Sequence, residues 1–272
     1  FLEDIADALR DGIDPHFSFA RYGESLSRSL SSFSPLWDEL SVRRTTVRVL
    51  EEVTSELLMH HRPEVVGFTV PFPGTVLGAL RISAQIKRTN PNIRIVWGGG
   101  YVNTELRQVS DARFFELVDA VVYDDGEEPL LRLLEFHEGR RPSCELLRTR
   151  TRDGIPEFDG ERTSWPSLQV GGPTYAGLPL DSYLSLFDVL NPMHRLWSDT
   201  RWNKLVLAHG CYWRRCAFCD VALDTICRYE PVDAKVLVDR IEKLIAESGG
   251  SGFHFVDEAA PPKLLKELAQ EL

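Results

Sequence analysis

The chain has 272 residues, a formal net charge of −10 and 43% hydrophobic residues. An acidic balance of this size argues against a protein that tracks nucleic-acid phosphates, which needs a basic surface. No apolar run approaches the roughly 20 residues of a membrane helix, and five cysteines, three of them in one short run, fit a reducing cytoplasm better than a disulfide scaffold.

Residues 1–62 carry two helical patterns, Leu2 to Leu9 and Val47 to His60, separated by a serine-rich stretch from Ser25 to Ser34 that reads as loop or a short capped helix. The start is acidic and has no apolar core, so it gives no secretory signal. From Pro63 the pattern changes. Val65 to Val70 is a β-branched run ending at Pro71-Phe72-Pro73-Gly74, and Thr75 to Arg88 has helical periodicity. Asn92 to Trp97 forms a second strand and runs into Gly98-Gly99-Gly100-Tyr101. A helix around Ser110 to Glu116, a strand Ala120 to Tyr123, a loop Asp124 to Glu128 and a helix Pro129 to His137 follow. Strands alternating with helices predict a doubly wound parallel sheet, whose ligands bind at the C-terminal ends of the strands. The Gly98–Gly100 run allows close backbone approach to a ligand, or else marks a tight strand-to-helix turn. No strand is evident before Val65, so the N-terminus reads as truncated.

Residues 144–203 read as a linker. Asp153-Gly154 and Asp159-Gly160 suit hairpin turns and so predict a β-ribbon. The following aromatics (Tyr175, Tyr183, Trp197, Trp202) suit packing, given the area such rings bury. His194 and His209 precede the first cysteine of the short run and are read as packing or hydrogen-bonding groups.

Lys204 to Ala208 is apolar and strand-like, and Cys211, Cys216 and Cys219 follow with spacing C-x4-C-x2-C. Three thiolates on one loop can hold three irons of a [4Fe–4S] cluster and leave the fourth iron open. In the rival reading Cys227 supplies a fourth thiolate and closes a zinc or electron-transfer site, making a binding module rather than an enzyme. Next come an amphipathic helix from Pro231 to Glu247, a strand Gly252 to Val256 ending in Asp257-Glu258, and a helix Pro262 to Leu272. Strand, loop, helix and strand in this order open a βα barrel, with Asp257 and Glu258 at a strand's C-terminal end. Their other reading is as caps of the next helix. Only the first βα units of a barrel are present, so the chain reads as a fragment.

The cysteine loop resembles that of the radical S-adenosylmethionine (SAM) superfamily, whose usual pattern is C-x3-C-x2-C with an aromatic before the last cysteine. Phe218 holds that place here, Gly210 precedes the first cysteine, and one extra residue separates Cys211 from Cys216. The resemblance implies a [4Fe–4S] cluster on Cys211, Cys216 and Cys219 and SAM chelated to the open iron. It further implies reductive cleavage to a 5′-deoxyadenosyl radical, and an electron donor such as flavodoxin or ferredoxin. It makes Phe218, Asp257 and Glu258 candidates for SAM contact.

Residues Pro63 to Glu135 resemble the cobalamin-binding domain that precedes the barrel in one large class of that superfamily. By matching position, Phe72, Gly74, Thr75, Gly98, Gly99, Gly100, Tyr101, Gly126 and Glu127 would line the corrin. The Asp-x-His-x-x-Gly run that donates a histidine to cobalt is absent from the sequence. The implied organisation is a cobalamin-binding-like Rossmann domain at residues 1–143, a ribbon-bearing linker at 144–203, and the N-terminal part of a radical-SAM barrel of TIM type at 204–272. The implied activity is cobalamin-dependent methyl transfer, with cyclisation or rearrangement also open, on an unknown small-molecule or peptide substrate. A further alternative keeps the radical chemistry and leaves the Rossmann domain an empty scaffold.

Overall fold

The computed structural model describes residues 2–28, 32–107, 109–154, 165, 170–183, 201–221, 223–257 and 259–272. The chain divides into two compact units, residues 1–162 and 163–272.

The first unit opens with four helices: α1 (Leu2–Gly12), α2 (Glu24–Ser27), α3 (Ser34–Leu40) and α4 (Thr45–His61). Then β1 (Val65–Thr69), α5 (Pro73–Thr89), β2 (Arg94–Gly98), two short helices α6 (Gly100–Asn103) and α7 (Phe114–Leu117), and β3 (Ala120–Val122) alternate. They are followed by α8 (Glu127–His137) and β4 (Thr149–Thr151). The sheet order is β1-β2-β3-β4, with β1, β2 and β3 parallel and β4 antiparallel to β3. The turn at Asp153-Gly154 closes on a Thr151–Gly154 bridge, and β4 joins the main sheet as its edge strand. The helix expected around Ser110 is shorter and later. Asp111 accepts the Arg113 N–H at 3.0 Å in an Asx-type turn, which delays helix entry to Phe114.

Strand alternation sorts the side chains onto two faces. Ile95, Trp97 and Val121 face a core shared with Val76, Leu77, Leu80 and Ile86 of α5. Val96, Ala120 and Val122 face the other way, against Leu133 of α8 and Leu146. Trp97 is fully buried and meets Phe114 edge-on at 5.4 Å. Each fully buried large side chain of this kind contributes about 2 kcal/mol relative to exposure. Pro73 suits the first turn of α5, where a missing N–H costs nothing.

The N-terminal segment is fastened to α5 by polar groups. Arg81, 3% exposed, donates from Nη2 to the Glu39 carboxylate at 2.9 Å and to the Glu39 carbonyl at 3.1 Å, and from Nη1 to the Val42 carbonyl at 3.2 Å. Glu39 also pairs with Arg44. Fully buried Asp14 accepts from the Thr46 hydroxyl at 2.6 Å and the Tyr22 hydroxyl at 3.2 Å.

In the second unit β5 (Trp202–Leu205) pairs in parallel with β8 (Gly252–Phe255), and β6 (Ala208–His209) pairs antiparallel with β7 (Glu230–Pro231). Helices α9 (Asp224–Cys227), α10 (Ala234–Ser248) and α11 (Pro262–Glu271) are interleaved with these strands, and a 3-10 turn spans Leu180–Ser182. Leu205, Leu207, Leu237, Ile241, Leu244, Leu264 and Leu268 form one core, so α10 and α11 cover the same face of β5 and β8. Pro231 lies in β7 and not in the first turn of α10. Asp233 caps that helix, accepting the Lys235 N–H at 2.9 Å, and Gly249 closes it with φ 70°. Tyr175 hydroxyl accepts the Lys204 N–H at 3.0 Å, in keeping with a packing role, and His194 and Trp197 lie outside the described residues.

Candidate functional site

Three loops emerge from the C-terminal ends of β1, β2 and β3; backbone bonds tie the first to the second, and side-chain bonds tie the second to the third. The Val70 N–H donates to the Gly98 carbonyl at 2.7 Å, and the Tyr101 N–H donates to the Val70 carbonyl at 3.1 Å. Asn103 Oδ1 accepts the Asp124 N–H at 2.8 Å, and Arg107 grips the Asp124 carboxylate with two bonds of 2.9 and 3.1 Å. Asp124 sits at φ 60°, a left-handed position that asparagine and aspartate tolerate.

The glycines of this edge have separate reasons. Gly99 has φ 109°, and an added Cβ would lie 2.9 Å from the backbone N and O of Val70. A Cβ on Gly100 would meet the Pro71 carbonyl at 3.2 Å, and one on Gly74 would lie 2.7 Å from the Arg21 Cα. At these positions the close backbone approach expected for a ligand is made by the protein's own loops. Gly98 has only an ordinary contact at 3.5 Å, and Gly126 faces open space. Tyr101 is 3% exposed and its hydroxyl donates to the Ser27 carbonyl, so it anchors the N-terminal segment inside the core and does not line the edge. The Thr75 hydroxyl is turned to its own helix start, donating to the Phe72 carbonyl at 2.7 Å. Phe72 is 69% exposed and Glu127 is exposed. An exposed ring at Phe72 and unobstructed backbone at Gly126 fit a large planar ligand laid across this edge.

The cysteine loop leaves β6 through Gly210, whose φ of 70° and contact with the Arg228 carbonyl leave no room for a side chain. The Cys211 N–H donates to the Ile226 carbonyl at 3.0 Å, which sets Cys211 beside α9, the helix that ends at Cys227. All four cysteines of this region are free thiols: Cys216 is exposed, while Cys211, Cys219 and Cys227 are half-buried. Among the described residues, no three His, Cys, Asp or Glu side chains converge as a metal ion requires. The chemistry of the donor set, three free thiols on one turn-rich loop, does fit an iron–sulfur cluster. Arg214 reaches back to the Cys227 carbonyl at 2.5 Å and Arg215 lies 5.7 Å from the Trp213 ring centroid, so both loop arginines already have partners. Phe218 is 92% exposed.

Asp257 follows β8, as expected, but both its oxygens accept backbone N–H groups, from Leu207 at 2.8 Å and Ala208 at 2.9 Å. Glu258 lies outside the described residues. The sequence reading had not singled out Lys204 and His254, register partners on β5 and β8, where Lys204 Nζ lies 2.6 Å from His254 Nδ1. The alternation of β5 was the available signal, since Lys204 stands out of phase with the buried Asn203 and Leu205.

Residues 39–134 match the family model of the B12 binding domain. This B12-binding match runs from Glu39 to Leu134 within α8 and contains β1, β2, β3 and the loops at their C-terminal ends. The fold is similar to that of the radical S-adenosylmethionine methyltransferase TsrM from Kitasatospora setae, solved with tryptophan substrate and a SAM analog. The TM-score there is 0.55 at 20% identity, covering 81% of this chain and 42% of that one. The same methyltransferase solved with cobalamin and a [4Fe–4S] cluster gives a TM-score of 0.50 at 18% identity over the same shares. The chain therefore spans about two fifths of the length of the solved proteins it resembles. No curated protein matches it. Among the described residues, no helix is long and apolar enough to cross a membrane.

Proposed function

We propose that the chain belongs to a cobalamin-dependent radical SAM enzyme and that its reaction is methyl transfer. The observation that carries this reading is the succession within one chain of a B12 binding domain match at residues 39–134 and a loop of three free thiols, Cys211, Cys216 and Cys219, that leaves β6 shortly after β5, the strand paired in parallel with β8. The fold similarity to TsrM supports the same architecture.

The roles then follow from the chain's own groups. Cys211, Cys216 and Cys219 would hold the cluster, and Cys227 stays outside its ligand set. The loops after β1, β2 and β3 would hold cobalamin, with Phe72 against the corrin and Gly126 leaving space for it. Once bound, these groups supply one-electron cleavage of SAM and a carrier for the methyl group. Arg107 and Asn103 hold Asp124 and so fix the third loop before any ligand arrives, which lowers the ordering cost of binding. A flavodoxin- or ferredoxin-type protein would deliver electrons, and the substrate would be a small molecule or peptide.

The test is anaerobic reconstitution with iron, sulfide and hydroxocobalamin, followed by gel filtration. Co-elution of cluster and corrin absorbance with the protein is expected. A protein that takes up cluster but no corrin would support the scaffold reading of the first unit instead.

A further inference from the structure

We infer that Asp257 is the positioning residue of the cysteine loop, an inference that rests on the proposed cluster site and departs from the expected SAM contact. The parallel ladder of β5 and β8 ends with the Val256 N–H donating to the Leu205 carbonyl at 3.0 Å. Beyond it the chain peels away from β8 to pair with β7, where the Val232 N–H donates to the Leu207 carbonyl at 2.9 Å. A strand that leaves its sheet strands backbone donors, and buried donors must be matched. Leu207 and Ala208 are such donors, at 0% and 5% exposure. Asp257 matches both, one oxygen to each, at 2.8 and 2.9 Å. Charge-assisted bonds of this kind are stronger than the neutral ladder bonds they replace.

The clamp lies three residues before Cys211. From there the chain has little freedom. Ala208 and His209 are paired with Pro231 and Glu230, Gly210 is wedged against the Arg228 carbonyl, and the Cys211 N–H is held by Ile226. The carboxylate thus sets where the first thiolate enters the cluster site, and acts through the backbone of residues 207–211 and not on SAM.

The experiment compares Asp257→Asn with the unmodified chain by amide hydrogen exchange without metal, and by electron paramagnetic resonance of the reduced, reconstituted protein with and without SAM. Exchange at Leu207 and Ala208 is expected to rise about tenfold, as for loss of a bond to a charged acceptor. The cluster signal is expected to change already without SAM. If both stay as in the unmodified chain, and only the SAM-induced change is lost, Asp257 is a SAM ligand and the inference is overturned. Should D257N fail to fold, the unmodified chain decides the matter. Leu207 and Ala208 amides as protected as that of Leu205 support the clamp, and loop-like exchange there overturns it. If the unmodified chain takes up no iron and sulfide, the proposed function fails while the exchange comparison still decides the clamp.

Discussion

Asn103 accepts the backbone N–H of Asp124 at 2.8 Å, and this bond, beside the two from Arg107 to the Asp124 carboxylate, joins the loop after β2 to the loop after β3. It holds Asp124 in the left-handed conformation that turns the chain into Gly126 and α8. Asn103→Ala removes the acceptor and leaves that N–H unmatched. A loss of about 1 kcal/mol is expected, read as a lower urea midpoint at unchanged slope. Because the same bond orders the edge proposed for corrin, hydroxocobalamin retention on gel filtration is expected to fall in parallel.

Gly99 and Gly126 make a paired test of which glycines serve the fold and which the ligand. Gly99→Ala places a Cβ against the Val70 backbone at a φ of 109°, and a loss of about 3 kcal/mol is expected from the clash and the strain together. Gly126→Ala adds a methyl group in open space at φ −82°, so stability is expected to stay within about 0.5 kcal/mol. If the corrin occupies that space, hydroxocobalamin affinity of G126A falls about tenfold, in line with overpacking at a filled site. Thermal melts and spectroscopic titrations of the two variants separate the roles.

The buried polar hub of the N-terminal segment predicts stability limits at both ends of the pH scale. Burial raises the Asp14 carboxyl, but the Thr46 hydroxyl, the His16 N–H, the Arg44 charge 3.7 Å away and the Tyr22 hydroxyl together bring it below the ordinary carboxylate range. A depressed carboxyl stabilises the fold above its unfolded pKa, and that contribution disappears as the pH falls through the folded value. Asp14→Asn is therefore expected to destabilise the first unit at neutral pH and to flatten the acid limb below about pH 4. At the other end, burial pushes the Tyr22 phenol up to about 12, with the Asp14 charge adding to the shift and Arg81 opposing it. A raised phenol stabilises fully below its unfolded value and loses that contribution between about pH 10 and 12. The loss is expected to be about 1 to 2 kcal/mol after allowing for partial solvent screening. Tyr22→Phe is expected to reduce the loss of stability between pH 9 and pH 11 in chemical denaturation by this share, with the buried Tyr101 and Tyr123 phenols, also raised by burial, keeping theirs.

The cysteines divide the open cluster from the closed metal site. Cys227→Ala is expected to leave iron content and the cluster spectrum as in the unmodified chain, whereas Cys216→Ala is expected to lose most of the cluster. Loss of metal from Cys227→Ala would favour the four-thiolate module; Cys227 is half-buried and follows Ile226, whose carbonyl holds the Cys211 N–H.

How far the sequence could be read depended on how local each signal was. The strands and helices from Val65 to His137 were legible because each is marked within a few residues, by a β-branched run, a helical stripe, or a proline or glycine at its end. The short helix at Phe114 and the capping of α10 by Asp233 moved boundaries by a few residues, since side chain-to-backbone bonds decide where a helix starts. In the N-terminal segment the helices α1 and α4 were legible from their patterns, but its attachment to α5 was not. The segment is held by pairs far apart in sequence, Arg81 with Glu39 and Asp14 with Thr46, which leave no periodicity. The same holds at the candidate site. The cysteine spacing is local, within nine residues of sequence from Cys211 to Cys219. That Asp257 reaches back 50 residues to Leu207, or that Gly99 packs on Val70, appears only when the chain is folded.

The most direct test of the account is metal and sulfide analysis of the anaerobically reconstituted chain after desalting. The account predicts about four irons and four acid-labile sulfides per chain, lost on replacing Cys211, Cys216 or Cys219 and retained on replacing Cys227. Zinc without sulfide, bound with equal dependence on all four cysteines, would contradict it.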